Sequence, residues 1–290
     1  MPHPGWHDFR FDGIGTAWEI STRIPLDPAQ RLSVLAEVER YDATWSRFRR
    51  DSLVSQMSAR PGQYQLPAES VALADLYREL YALSGGAMTP LIGASLEQLG
   101  YDAGYSLRPR GAAAAPPAWD DVLEWRGTSV TTTAPVVLDV GAAGKGQLVD
   151  LLADVLRGQG VTDFFIDASG DLLNGGQAPV TVALEHPYDA SRAIGTVPLG
   201  AGALCASASN RRAWGDGLHH VLDGTTGRPV TTVVATWARA NTALEADALA
   251  TALFVVPAAE LESRFRFSWL KVLSNGSAEY SAEFEGALFT

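Results

Sequence analysis

One short run constrains this chain more than any other: Asp139-Val140-Gly141-Ala142-Ala143-Gly144-Lys145-Gly146. An apolar stretch, Val136-Val137-Leu138, ends in an acid, a glycine-rich turn follows, and a helical pattern begins. In that helix, Gln147 to Arg157, the side chains of Leu148, Leu151, Leu152 and Val155 line one face, and Gly158 and Gly160 stop it. A strand feeding a helix through such a turn belongs to an α/β architecture. The unpaired N–H groups and the dipole at the helix start favour an anion, and Lys145 adds a positive charge there. A Walker A loop is excluded, because position 139 is Asp and Gly146 follows the lysine. No Gly-x-Gly-x-x-Gly dinucleotide fingerprint falls here. The plain alternative is a tight turn carrying a solvent-facing lysine.

Composition narrows the partners. Of 290 residues, 47% are hydrophobic and 19% charged, a globular balance, and the net charge is −11. So acidic a body repels a phosphate backbone, which argues against nucleic acid. An anionic small ligand would need a local cation, a metal or a helix N-terminus. Cys205 is the one cysteine, so neither an intramolecular disulfide nor a cysteine-based metal cluster can form; it reads as a small buried residue. No apolar run approaches the roughly 20 residues that span a bilayer, and no membrane insertion is expected. The start, Met1 to Asp8, lacks the basic and apolar regions of a signal peptide, so the expected location is the cytoplasm.

Along the chain, residues 9–24 suit a strand with a glycine bend at Gly15. Asp27-Pro28 opens a helix whose expected apolar stripe is Leu32, Leu35 and Val38, continued by Tyr41 and Trp45. The segment from Ser46 to Ser58 reads as loop or short helix. A second helix spans Ser70 to Leu83, with Val71, Leu73, Leu76, Leu80 and Leu83 buried and Ser84-Gly85-Gly86 as its stop. Residues 111–118, rich in Ala and Pro, form a surface loop within one domain. Ser129–Thr133 and Val136–Asp139 are expected to pair as strands. A short strand at Asp163–Ile166 runs into the turn Asp167-Ala168-Ser169-Gly170-Asp171. Further strands are expected at 179–184, 194–199, 218–222, 230–237 and 269–273, with a helix from Ala243 to Val255.

Two more segments carry chemistry. Thr242 and Glu245 have capping-box spacing. Asp247 and Thr251, four apart, then share a helix face among Ala and Leu neighbours. A carboxylate in such surroundings needs a partner: a hard cation with oxygen ligands, or an arginine, with Thr251 bonding back to the helix. In His219-His220-Val221-Leu222-Asp223-Gly224-Thr225-Thr226-Gly227, a histidine entering a hairpin turn could act as a general base, or simply fill a polar rim. Arg47, Arg49, Arg50, Arg211 and Arg212 could offset the acidic body near a diphosphate.

Taken in order, these segments resemble the ApbE family of FAD:protein FMN transferases, from Gly15-Thr16 to about Val256. Gly15-Thr16-Ala17-Trp18 is similar to the family's Met-Gly-Thr opening, and Ser46-Arg47-Phe48-Arg49 with Ser52 and Ser55 to its Ser/Thr-x-Tyr-Arg…Ser…Ser segment. Asp139 to Gly146 resembles Asp-Leu-Gly-Gly-Ile-Ala-Lys-Gly, and the turn at 167–171 resembles Asn-x-Gly-Gly-Asp/Asn. His220-Val221-Leu222-Asp223…Thr226-Gly227…Pro229 is similar to His-Ile-Ile-Asp-Pro-x-Thr-Gly-x-Pro, and Glu245 to Ala252 is nearly the family pattern as it stands.

The resemblance implies a single α/β domain of α+β type, T-fold-related, over residues 1–290. It implies Mg²⁺-dependent transfer of FMN from FAD to a Thr or Ser hydroxyl of an acceptor protein, with release of AMP. Mg²⁺ would take the Asp247 carboxylate, the Thr251 hydroxyl and the Ala142 carbonyl. His220 would orient or deprotonate the incoming hydroxyl, with Asp247 as the other catalytic residue. Ile14, Phe48, Ala87, Met88, Thr89, Asp139, Lys145 and Leu222 would contact FAD, Phe48 by stacking and Asp139 and Lys145 at the flavin end or its phosphate. The chain departs from the pattern at four places. Ile14 replaces methionine, Met88-Thr89-Pro90-Leu91 replaces Phe-Asp-Pro-Thr, Ala206-Ser207-Ala208-Ser209 replaces Thr-Ser-Gly-Asp, and Gly224 replaces proline. The alternatives are an FAD-binding or storage protein, or an FAD hydrolase yielding FMN and AMP.

Overall fold

Ile14 and Gly15 have φ of +44° and +77°, the geometry of a two-residue hairpin loop with both residues left-handed. The strand with a bend expected over 9–24 is therefore a hairpin. Strands β1 (His7–Gly13) and β2 (Thr16–Thr22) pair from His7↔Thr22 to Gly13↔Thr16. The computed structural model describes residues 5–289, so the first positions of the start segment lie outside the described residues.

Helices α1 (Pro28–Trp45) and α2 (Leu53–Ala59), strand β3 (Gly62–Gln65) and helix α3 (Ser70–Leu83) follow. A capping box starts α1: Asp27 accepts the Ala29 and Gln30 N–H groups while Gln30 reaches back to Asp27 N–H. Its buried face is Val34, Val38, Tyr41 and Trp45, whereas Leu32 and Leu35 are 67% and 39% exposed. The expected stripe was thus one strip too wide, since Val34 rather than Leu32 sits in line with Val38. In α3, Leu73, Leu76 and Leu80 are buried but Val71 faces outward.

After a 3-10 turn at Pro90–Ile92 come α4 (Gly93–Gln98), α5 (Trp119–Val122), β4 (Leu123–Arg126) and β5 (Ser129–Thr132). β5 pairs with β3 and β4. The 136–139 stretch does not pair with it, because its backbone is taken elsewhere: Val136 N–H donates to the Met57 carbonyl and Asp139 N–H to that of Pro90. The 111–118 loop is mostly exposed and is tied down by Ser95 Oγ donating to the Ala114 carbonyl at 2.7 Å.

Helix α6 (Gly144–Gly158) leads to β6 (Phe164–Asp167), β7 (Asp171–Asn174), β8 (Val180–His186), β9 (Asp189–Leu199) and β10 (Gly202–Ala208). A 3-10 turn at Ser209–Arg212 precedes the short strands β11 (Ala213–Trp214), β12 (Leu218–His219), β13 (Leu222–Asp223) and β14 (Arg228–Pro229). The strand expected over 218–222 is therefore broken, leaving His220 and Val221 between two pairings. Last come β15 (Val233–Ala240), α7 (Ala243–Ala252), α8 (Ala258–Glu262), β16 (Ser268–Leu273), β17 (Ala278–Tyr280) and β18 (Ala287–Leu288).

Eight strands form the main sheet in the order β1-β2-β6-β7-β10-β15-β16-β17, with antiparallel neighbours. This is a mixed α/β fold of the α+β type. Alternation along β10 shows how it is covered. Ala203 and Cys205 join the core beneath α1, α6 and α7, while Leu204 and Ala206 join a second cluster with Leu184, Val197 and Leu199 of the β8–β9 hairpin. Cys205 is fully buried, as expected.

Candidate active site

A cavity of about 670 Å³ lies where the β1–β2 tip, the start of α6, one face of α7 and the 206–222 segment meet. Its lining brings together Ile14, Phe48, Ala87, Met88, Thr89, Asp139, Ala142, Lys145, His220, Leu222, Asp247 and Thr251. Ile14 is a β-branched residue held at positive φ, a strained conformation that tends to persist where a site demands it.

The α7 helix places Asp247 and Thr251 on the cavity side. Thr242 Oγ1 accepts the Glu245 N–H at 3.2 Å, and the Asp150 carboxylate takes the Ala243 and Leu244 N–H groups at 2.9 and 2.8 Å. Helix α6 crosses α7 at Gly146, whose N–H donates to Asp247 Oδ2 at 2.8 Å. A Cβ at Gly146 would press on the Ala243 carbonyl and come within 2.7 Å of Asp247 Cβ, so this contact needs glycine. No arginine pairs with Asp247 among the described residues. Thr251 Oγ1 lies 3.4 Å from Ser207 Oγ.

Behind Asp247 sits an acid to which the sequence reading gave no role. Asp171, fully buried, pairs with Lys145 Nζ at 2.6 Å, and the same ammonium donates to the Ala168 carbonyl at 2.8 Å. Lys145 is thus neither solvent-facing nor a free cation. Burial pulls its ammonium down, but the charges of Asp171 and Asp247 outweigh this and raise it. Burial, then the Asp171 charge, pushes the Asp247 carboxyl up to about 8. Two buried carboxyl groups therefore crowd one ammonium that is paired with Asp171, an arrangement that a further cation would relieve. Among the described residues no three His, Cys, Asp or Glu side chains converge on a metal position. A cation held here would take hydroxyl and carbonyl oxygens alongside one carboxylate, a donor set suited to a hard ion.

At the other end of the turn, Asp139 Oδ2 accepts from Arg47 Nε at 2.6 Å and Oδ1 from Gly141 N–H at 2.8 Å. Burial alone would raise this carboxyl, but the Arg47 charge and hydrogen bond hold it below its ordinary value. The turn's N–H groups are also engaged: Ala143 and Gly144 donate to the Val140 carbonyl.

The two histidines separate cleanly. His219 is held by its neighbours, Nε2 2.9 Å from the Val230 carbonyl and Nδ1 accepting the Val221 N–H at 3.3 Å. His220 lines the cavity, and its buried Nδ1 has no hydrogen-bond partner among the described residues. Burial, then the charges of Arg212 and His219, lower its pKa to about 3, so it is neutral at physiological pH.

Phe48 is already flanked. It stacks on Tyr105 with centroids 5.0 Å apart and planes 11° apart, and the Arg47 guanidinium lies 4.2 Å from its centroid. Nothing in the sequence pattern singled out Tyr105; its position depends on a loop with φ of +48° at that residue. Two of the departures meet in space. Gly224 N–H donates to the Ala87 carbonyl at 2.8 Å, and a Cβ there would lie 2.8 Å from Thr89 Cγ2 and 2.6 Å from the Gly86 carbonyl. Proline at 224 could not make this bond, so Gly224 and Thr89 form one fitted contact.

A profile of the ApbE family matches residues 14–267. The chain belongs to the ApbE family. Among curated relatives, the FAD:protein FMN transferase of Rhodobacter capsulatus is 30% identical over 228 residues, covering 73% of this chain and 43% of that protein. That of Escherichia coli K12 is 33% identical over 128 residues, covering 41% of this chain and 36% of that protein. The matched regions thus span less than half the length of these relatives. The ApbE protein of Thermotoga maritima superposes with a TM-score of 0.81 at 23% identity, covering 97% of this chain and 99% of that one. The flavin transferase ApbE of Vibrio cholerae gives 0.78 at 18% identity, covering 96% and 98%. At these identities the superpositions establish the ApbE fold.

Proposed function

We propose that this chain transfers FMN from FAD to a Thr or Ser hydroxyl of an acceptor protein and releases AMP. The observation that carries this reading is the convergence on one cavity of Asp247, Thr251, the glycine-rich turn and a His220 whose Nδ1 has no hydrogen-bond partner among the described residues. Family membership and the names of the curated relatives support the same chemistry.

On this reading FAD fills the cavity, with Ile14, Phe48, Ala87, Met88, Thr89 and Leu222 against it. Asp247, Thr251 and the Ala142 carbonyl would hold Mg²⁺, which when bound neutralises charge on the diphosphate. Asp171 and Lys145 set the charge around Asp247, and the Gly146 N–H fixes its orientation. Asp139, bound by Arg47 and Gly141, shapes the turn and lines the flavin end. His220 is neutral, so its imidazole is able to accept the proton of the attacking hydroxyl. Its low pKa makes it a weak base; anionic FAD nearby favours the protonated form and strengthens it.

The test is product analysis. The protein is incubated with FAD, Mg²⁺ and a peptide of the pattern Asp-x-x-Ser/Thr-Gly-Ala-Thr/Ser, and the mixture is examined by mass spectrometry. An FMN adduct on the peptide supports transfer. Free FMN and AMP without adduct would replace it with hydrolysis, and intact bound FAD with storage.

A further inference from the structure

Five cationic side chains line the cavity: Arg47, Arg49, Lys145, Arg211 and Arg212. Four are neutralised by carboxylates: Arg47 by Asp139, Arg49 by Asp51, Lys145 by Asp171 and Arg211 by Glu185. Arg212 forms no ion pair among the described residues. Its guanidinium lies over Tyr101, 6.0 Å from the ring centroid, and its charge is felt at both His220 and Asp139. The cation that the glycine-rich turn was expected to offer a phosphate is thus committed, and so are most of that turn's N–H groups. Meanwhile His220, with its unpartnered Nδ1, sits beside the one cation still unpaired.

A strongly acidic chain that leaves a single arginine unpaired at its cavity has a place for one anion there. We propose that Arg212 binds the non-bridging oxygens of the FMN-side phosphate of FAD, making it a positioning and charge-stabilising residue for the transferred phosphoryl group. This inference rests on the flavin-transfer reading. In the step it serves, the acceptor hydroxyl oxygen bonds to the FMN-side phosphorus. The bond from that phosphorus to the bridging oxygen breaks, and this oxygen leaves with its electron pair on AMP. The hydroxyl proton passes to His220. Negative charge concentrates on the equatorial oxygens during such a displacement, where a guanidinium fork is best matched. Arg212 stands on the His220 side of the cavity, so it serves the group under attack rather than the departing adenosine.

Equilibrium binding of FMN and of riboflavin separates a phosphate contact from a structural role. Both are titrated by flavin fluorescence against the wild-type protein, Arg212→Gln and Arg212→Lys, at fixed Mg²⁺. The expected result is that Arg212→Gln weakens FMN binding roughly tenfold or more while riboflavin is unchanged, with Arg212→Lys in between. FMN bound equally well by wild type and Arg212→Gln would overturn the proposal. So would equal weakening of FMN and riboflavin, which marks a structural side chain. Wild-type protein binding neither flavin would overturn the proposed function, and this inference with it.

Discussion

At the scale of single residues, the site depends on how few partners its polar groups have. Asp247 is buried beside Asp171, with the Gly146 N–H and the nearby Lys145 charge supporting its ionised form. Asp247→Ala is expected to lower FMN transfer by about a hundredfold or more and to abolish stimulation by divalent cations. Initial rates against Mg²⁺ concentration check this; an undiminished metal response would remove Asp247 from the site. His220→Ala is expected to lower kcat by about a hundredfold while FAD affinity changes little, measured by turnover and by fluorescence titration. Equal loss of both would make His220 a packing residue like His219.

These residues were legible because their spacing is local: Asp247 and Thr251 lie one turn apart, and His220 stands just before a turn. Asp171 carries no signal of its own in the sequence, and Arg212 stands there only as one of five arginines able to offset the acidic body near a diphosphate, since what matters is which charges remain unpaired. Arg47 and Arg212 look alike in the sequence, and only the fold shows that Asp139 occupies one and not the other.

At the scale of elements, the α6–α7 crossing joins the glycine-rich turn to the acidic helix. Gly146→Ala is expected to destabilise the protein by about 3 kcal/mol, because its methyl group must force the helices apart; denaturant titration would measure it. A change below about 0.5 kcal/mol would mean the crossing is looser than this contact implies. Helices were the easier elements to read, as α3, α6 and α7 show. Strand β10 was missed although it lies near the centre of the main sheet. Its sequence, Gly-Ala-Leu-Cys-Ala-Ser-Ala, has few of the β-branched and aromatic residues that mark strands. Small residues suit it because α7 packs directly on it. The false pairing of 129–133 with 136–139 has the opposite cause: a β-like pattern whose hydrogen bonds go to Met57 and Pro90 instead.

At the scale of the whole molecule, the buried acids tie stability to pH. Burial raises Asp150 to about 6 and, together with Asp171, raises Asp247 to about 8. For an acid with a raised folded-state pKa, the folded state holds its proton more tightly than the unfolded state. The stabilising contribution is complete below the unfolded value near pH 4 and is lost as pH rises through the folded value. Buried neutral His220 works in the opposite direction up to its unfolded value near pH 6.5, so the metal-free protein is expected to lose thermal stability most clearly from about pH 6.5 to about pH 8.5, and Asp247→Asn to flatten that decline. Added Mg²⁺ should raise Tm most at the alkaline end, where the carboxylate is already ionised. Scanning calorimetry across pH reads all three, and a Tm that climbs over this interval without metal would contradict the buried-acid account. The net charge of −11 sets a background self-repulsion that Asp247→Asn scarcely alters. Among the described residues no helix is long and apolar enough to cross a membrane.

The central claim is that one cavity holds FAD and passes its FMN to a protein hydroxyl through Asp247 and His220. The most direct measurement follows the FMN adduct on the acceptor peptide by mass spectrometry, for wild type and Asp247→Ala side by side, with FAD and with or without Mg²⁺. The expected result is a metal-dependent adduct on Thr or Ser with the wild type and none with the variant. Equal adduct from both proteins, or FAD consumed without any adduct, would contradict the claim.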